Sequence, residues 1–203
     1  MAADMPISEI RLRLASRRVG IAGCGGLGSN CAVALARSGV GTLVVVDFDT
    51  VSEENLNRQY FFREHIGRKK VAALVDVIRR IDPRVKVEGH EVRLDPRQVL
   101  RIFAGCEVIV EAFDRADMKQ MIAETVLAGL PDAWLVIGSG LAGFGANAAL
   151  HTRRTGRLFI CGDEELEVSD AHPPLAPRVG IVAAMQANQV LEILLDESRL
   201  PAE

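Results

Sequence analysis

The sequence has no CxxC pair, no cationic run, no apolar leader and no internal repeat, and each absence removes a class of function. The cysteines are Cys24, Cys31, Cys106 and Cys161, none two residues from another, which excludes a paired-cysteine zinc site or dithiol redox motif. Their spacing suggests no disulfide framework either, so a reducing, cytoplasmic compartment is expected. Lys and Arg number 24 against 27 Asp and Glu, a formal net charge of −3. That balance supplies no basic field for nucleic acid or an anionic membrane surface. Residues 1–18 contain Asp4, Glu9 and several arginines rather than a signal core. Residues 133–150 carry no charge, but Gly138, Gly140, Gly143 and Gly145 weaken a helix there. A buried strand, a glycine-rich turn and a second strand fit that stretch better than a membrane span.

What remains is a chain of 203 residues, 49% of them hydrophobic, enough for a sizeable core. The reading is an N-terminal segment, 1–18, followed by a single domain, 19–203. Apolar β-branched runs at 19–22, 42–46, 108–113 and 134–137 alternate with helical stretches at 27–37, 67–81, 96–103, 116–128 and 179–195. A further strand is expected at 85–92. Continuous apolar strands separated by helices predict an α/β fold with a mostly parallel, Rossmann-like sheet flanked by helices. Near the C-terminus the pattern changes. Strands at 146–152 and 157–160 around Thr155-Gly156 predict an antiparallel extension, and a polar loop is expected over 161–177.

Gly23-Cys24-Gly25-Gly26-Leu27-Gly28 fits G-x-G-x-x-G between a strand and a helix. Such glycines let the backbone approach a phosphate at a helix N-terminus, and the alternative is a turn serving close helix–sheet packing. Asp47 follows 19 residues after Gly28, at the end of the second strand, where a carboxylate accepts from ribose hydroxyls. The following loop holds Asp49, Glu53, Glu54, Asn55, Asn57, Arg58 and Gln59, then Lys69 and Lys70. Cations and amides beside a nucleotide suit a triphosphate better than hydride transfer. Asp114, after another strand, could hold Mg²⁺. Taken singly, these residues also read as a solvated polar loop.

Together these residues resemble the ThiF/MoeB/HesA family, small relatives of ubiquitin-activating enzymes. The resemblance runs through Gly23–Asn30, Val46-Asp47-Phe48-Asp49-Thr50-Val51, Asn55-Leu56-Asn57-Arg58-Gln59, Ile66-Gly67, Lys70-Val71 and Ala176-Pro177-Arg178-Val179-Gly180-Ile181 with Gln186-Ala187. It implies an ATP-dependent adenylyltransferase acting on the C-terminal glycine carboxylate of a small sulfur-carrier protein. Gly23, Gly25, Gly26, Leu27 and Gly28 would bound the nucleotide, Asp47 would hold the ribose, and Asn55, Arg58 and Lys70 would grip the triphosphate. Gln59 would line the site, and Asp114 with Asp49 would hold Mg²⁺. The short form without zinc cysteines resembles ThiF-type proteins linked to thiamine synthesis. That points to a ThiS-like carrier, with a MoaD-like carrier for molybdopterin synthesis as the alternative. A homodimer is implied, with no nucleic-acid or membrane partner. Two other classes stay open: a relative that binds carrier or nucleotide without turnover, and an NAD-dependent oxidoreductase.

The chain departs from the family pattern at Arg115, where an asparagine is usual, and near the N-terminus, where Arg11 or Arg13 would have to serve as the arginine sent to a partner subunit. Cys161 is expected to open a polar loop, with nearby acids raising its pKa. A structural role is the leading reading for it.

Overall fold

The computed structural model describes residues 5–195; residues 1–4 of the N-terminal segment and the end of the expected domain, 196–203, lie outside them. Seven strands form one sheet in the order β3-β2-β1-β4-β5-β7-β6. They are β1 (Arg18–Ala22), β2 (Thr42–Val46), β3 (Lys86–His90), β4 (Val108–Glu111), β5 (Trp134–Ser139), β6 (His151–Thr155) and β7 (Leu158–Gly162). Every pairing is parallel except β6 with β7, so the mostly parallel sheet with an antiparallel extension is as read from the sequence. The helices are α1 (Ile7–Leu14), α2 (Gly26–Ser38), α3 (Lys70–Ile81), α4 (Pro96–Ile102), α5 (Ala116–Gly129) and α6 (Ala176–Leu195).

Hydrophobic patterning explains the layers. The inner strands β1, β2 and β4 are buried almost throughout because helices cover both faces. Val19 and Ile21 of β1 join Leu35, Leu74 and Val190 from α2, α3 and α6 on one face. Ala22 joins Val99 and Ile122 from α4 and α5 on the other. The outer strand β6, His-Thr-Arg-Arg-Thr, is polar and mostly exposed, which discourages pairing with a further strand. In the strand order, β1 lies between β2 and β4, so the chain leaves β1 in one direction and later returns on its other side. Ligands in open α/β sheets bind at the carboxyl ends of strands flanking such a switch.

Several boundaries differ from the sequence reading. The N-terminal segment contains α1, whose Ile10 and Leu14 pack on the core; its short apolar spacing was obscured by Arg11 and Arg13. Helix α3 starts at Lys70 rather than 67, because Gly67 takes a φ of +85° before it. The hairpin lies further along than expected. Residues 147–149 form a single 3-10 turn after Ala146, whose φ is +48°, so the strand begins only at His151. Strand β7 in turn runs to Gly162, placing Cys161 inside the sheet rather than at the head of a loop.

Candidate active site

Chain geometry at the end of β1 determines the first wall of the site. Gly23 turns with φ +101° and donates its N–H to the Val46 carbonyl at 2.8 Å, tying the turn to β2. A Cβ on Gly28 would lie 1.8 Å from the Gly23 carbonyl oxygen, so this glycine is required for α2 to approach the turn. Gly25 is different: the nearest atom to a Cβ there is Gln59 Nε2, at 3.8 Å. The packing and ligand-approach readings of the motif therefore both apply, at different glycines. No side chain caps the N-terminus of α2. Its first N–H groups have no intrahelical acceptor, and the helix dipole makes that end favourable for an anion.

Asp47 fixes this turn. Its Oδ2 accepts from Cys24 N at 2.7 Å and its Oδ1 from Asp49 N at 2.8 Å. A carboxylate oxygen has a second lone-pair position, so these bonds leave acceptor capacity for a hydroxyl. The polar loop is clipped to α2 by two side chains. Ser29 Oγ donates to the Gly25 carbonyl (2.6 Å) and accepts from Tyr60 N (2.9 Å). Asn30 Nδ2 donates to the carbonyls of Gly26 (2.7 Å) and Arg58 (2.9 Å). Arg58 is thereby held beside Gly26, and among the described residues its guanidinium donates only to neutral acceptors, the Glu54 carbonyl and Asn57 Oδ1. Gln59 is 8% exposed, and its Oε1 has no hydrogen-bond partner among the described residues. Lys70 is 6% exposed and donates from Nζ to Asp49 Oδ2 at 2.7 Å.

The opposite wall comes from β4, β5 and the segments after them. Asp114 is exposed in the turn between β4 and α5, and its carboxylate takes part in no hydrogen bond or ion pair with the described residues. Arg115 instead pairs with Asp117, at 3.0 and 2.6 Å. Glu111 at the end of β4 is completely buried and bonds Lys119 Nζ at 3.1 and 2.8 Å. Burial pushes the Glu111 carboxyl upward in pKa, against the attraction of Lys119. A second buried pair, Arg178 with Asp163, lies behind the lining, and Arg178 also donates to the Gly145 carbonyl at 2.6 Å.

These elements enclose a cavity of about 390 Å³. It brings together Gly23, Gly25, Gly26, Leu27, Asp47, Asp49, Arg58, Gln59, Lys70 and Asp114. Two expected site residues do not line it. Gly28 acts one turn behind, and Asn55 Oδ1 accepts from Ser52 N at 3.1 Å, shaping the loop that carries Arg58. Lys119, Ser139, Phe48 and Arg93 line the cavity without having been singled out for it from the sequence. For Lys119 the available signal is a glutamate closing an apolar strand with a lysine eight residues later. Among the described residues no group of three His, Cys, Asp or Glu could hold a metal. A cation here would have to share its coordination with a ligand's oxygens, as Mg²⁺ commonly does with phosphates.

Cys161 is fully buried in β7, and burial, not neighbouring acids, pushes its thiol up to about 11. The acid-driven shift expected from the sequence is thus corrected to desolvation. Cys24, Cys31 and Cys106 are also buried and raised by desolvation. Arg13 pairs with Glu9 at 2.6 Å, and the Arg11 stem lies against Gly39; neither lines this chain's cavity. No helix among the described residues is long and apolar enough to cross a membrane.

A family model described as the ThiF family matches residues 3–202. The chain is 31% identical over 210 residues to an Aspergillus terreus protein described as adenylyltransferase and sulfurtransferase uba4, covering 95% of this chain and 43% of that one. It is 29% identical over 188 residues to a molybdopterin-synthase adenylyltransferase of Salmonella typhimurium, covering 89% of this chain and 74% of the relative. The chain thus spans about two fifths of the Aspergillus relative's length. Among solved structures, an E. coli tRNA N6-threonylcarbamoyladenosine dehydratase, TcdA, in complex with AMP shares the fold. Its TM-score is 0.83 at 19% identity, over 93% of this chain and 90% of that one.

Proposed function

The chain belongs to the ThiF family, and we propose that it is an ATP-dependent adenylyltransferase that activates the C-terminal glycine carboxylate of a small sulfur-carrier protein. The observation that carries this reading is the convergence of an uncapped helix N-terminus, Asp47, Arg58, Gln59 and Lys70 on one cavity. A triphosphate fits these groups. The open approach at Gly25 admits a phosphate, and the α2 N-terminus favours its charge. Asp47 would accept from the ribose, and Arg58 and Lys70 would bind phosphate oxygens. The free Asp114 carboxylate is the group offered for Mg²⁺, which when bound would offset phosphate charge; Asp49, already paired with Lys70, would be a second oxygen donor near it.

The reaction is displacement at the α-phosphorus. A carrier carboxylate oxygen forms the new P–O bond as the bond to the departing pyrophosphate breaks. A carboxylate is already ionised at neutral pH, so no general base is required. The protein's contribution is then positioning and charge stabilisation. We read the carrier as ThiS-like, from the short form without zinc cysteines, placing the protein in thiamine synthesis in the cytoplasm. The resemblance to a molybdopterin-synthase adenylyltransferase favours a MoaD-like carrier as the second reading. A homodimer is proposed on the family's pattern, and the exposed Ile7 and Leu12 of α1 are consistent with a further contact.

ATP–pyrophosphate exchange tests this. Exchange should require Mg²⁺ and a carrier ending in Gly-Gly, and a ThiS-like carrier should support it better than a MoaD-like one. Exchange with the reverse preference would replace the thiamine assignment. Binding of NAD without ATP would remove the adenylyltransferase reading altogether.

A further inference from the structure

Of the cations lining the cavity, Lys119 differs in how its donors are used. Its Nζ has three protons and three acceptors: both oxygens of Glu111, at 3.1 and 2.8 Å, and the Gly138 carbonyl, at 2.8 Å. Lys70 has a single such bond, to Asp49, and Arg58 donates only to neutral groups. Lys119 is therefore saturated where Lys70 and Arg58 have donors to spare.

The partners of Lys119 are joints. Glu111 Oε1 also accepts from Phe113 N at 2.5 Å, which bends the chain into the turn that carries Asp114. The Glu111 carbonyl accepts from Gln186 Nε2 of α6 at 2.9 Å. The Gly138 carbonyl belongs to the end of β5, just before Ser139 and Gly140, which line the cavity. One lysine thus ties together the ends of β4 and β5 and the start of α5, while Glu111 extends the tie to α6.

We propose that Lys119 is a positioning residue: acting through Glu111 and the Gly138 carbonyl, it sets the turn that presents Asp114 to the bound nucleotide and does not itself contact the phosphates. This rests on the adenylyltransferase reading for its chemistry. The geometry favours it over direct contact, because a phosphate would have to displace an acceptor from a lysine whose counter-ion is a fully buried carboxylate.

The test uses K119R, K119M and the double variant E111Q/K119M in the full chain, with melting temperature as the folding control. K119M leaves the buried Glu111 carboxylate without a cation, whereas the double variant removes both charges. If Lys119 acts through Glu111, K119M should lose exchange by about thirtyfold or more, and E111Q/K119M should recover at least about tenfold of that loss. K119R, which keeps the charge, should fall between K119M and the wild type. Half-saturating Mg²⁺ should rise about tenfold in folded K119M while the ATP dissociation constant moves less than about threefold, a split that simple destabilisation does not produce. A folded E111Q/K119M protein as inactive as K119M, with ATP affinity falling in parallel, would assign Lys119 to the phosphates and overturn the proposal. Should K119M not fold, the double variant and K119R decide by the same criteria. A wild-type protein without carrier-dependent exchange would strike at the adenylyltransferase reading instead, and calorimetry of Mg²⁺–ATP binding in the same variants would still decide the role of Lys119.

Discussion

The two walls of the cavity are built on opposite principles. On the β1–β2 side, among the described residues, the polar groups are left partly unsatisfied: the α2 N-terminus has no side-chain cap, Gln59 Oε1 has no partner, and Arg58 faces only neutral acceptors. On the β4–β5 side the charged groups are paired: Lys119 uses all three donors, and behind the lining Arg178 and Asp163 are buried against each other, although Arg178 Nε and Gln186 Oε1 find no partner among the described residues. Unsatisfied polar groups in a cavity are costly unless a ligand completes them, whereas saturated buried pairs stiffen the surrounding backbone. The first wall is suited to binding, and the second to holding the first in register with Asp114.

This contrast can be broken by experiment, beginning with the saturated wall. Arg178→Met leaves Asp163 buried without its cation and should cost about 3–5 kcal/mol of stability in urea denaturation. Removing both charges, in D163N/R178M, should cost clearly less. Equal losses would show that the pair matters for packing rather than charge. On the unsatisfied wall the effect should fall on function. Arg58→Ala and Lys70→Ala should each lower carrier-dependent exchange by about a hundredfold, near 3 kcal/mol of transition-state stabilisation. Arg58→Ala should leave the melting temperature within a few degrees, since its guanidinium has no charged partner. Near-normal exchange in both variants would dissolve the distinction between the walls. The smallest effect is expected behind them. Cys161→Ser should retain exchange within about threefold, because a thiol raised to about 11 by burial is not a nucleophile at neutral pH. The same burial predicts that iodoacetamide labels Cys161 in urea but not in the native protein at pH 8. Native labelling or lost exchange in a folded C161S protein would restore a chemical role for this residue.

The binding wall was legible in the sequence because its parts are contiguous. A glycine turn, the carboxylate after the next strand and the Asn-Leu-Asn-Arg-Gln segment each report on backbone geometry within a few residues. Even there Asn55, expected to grip phosphate, stands outside the cavity lining, with its Oδ1 accepting from Ser52 N. On the stiffening wall Asp114 and the segment containing Arg178 were legible, but the buried pairings were not. Glu111 and Lys119 sit in segments whose apolar neighbours dominate the pattern, and nothing near Arg178 in the sequence points to Asp163 as its partner.

What the sequence determined by itself was periodicity and local chain conformation: buried parallel strands, the helices between them, the glycine turn, and the polar loop that follows Asp47. Those features follow from side-chain size, branching and backbone freedom, which act over a few residues. Tertiary structure alone decided which charges meet. It placed Lys119 between Glu111 and Gly138, Arg178 against Asp163, and Cys161 within the sheet instead of beside acids. Such pairings depend on the low dielectric and fixed distances created when strands and helices pack, and neither exists until the chain has folded.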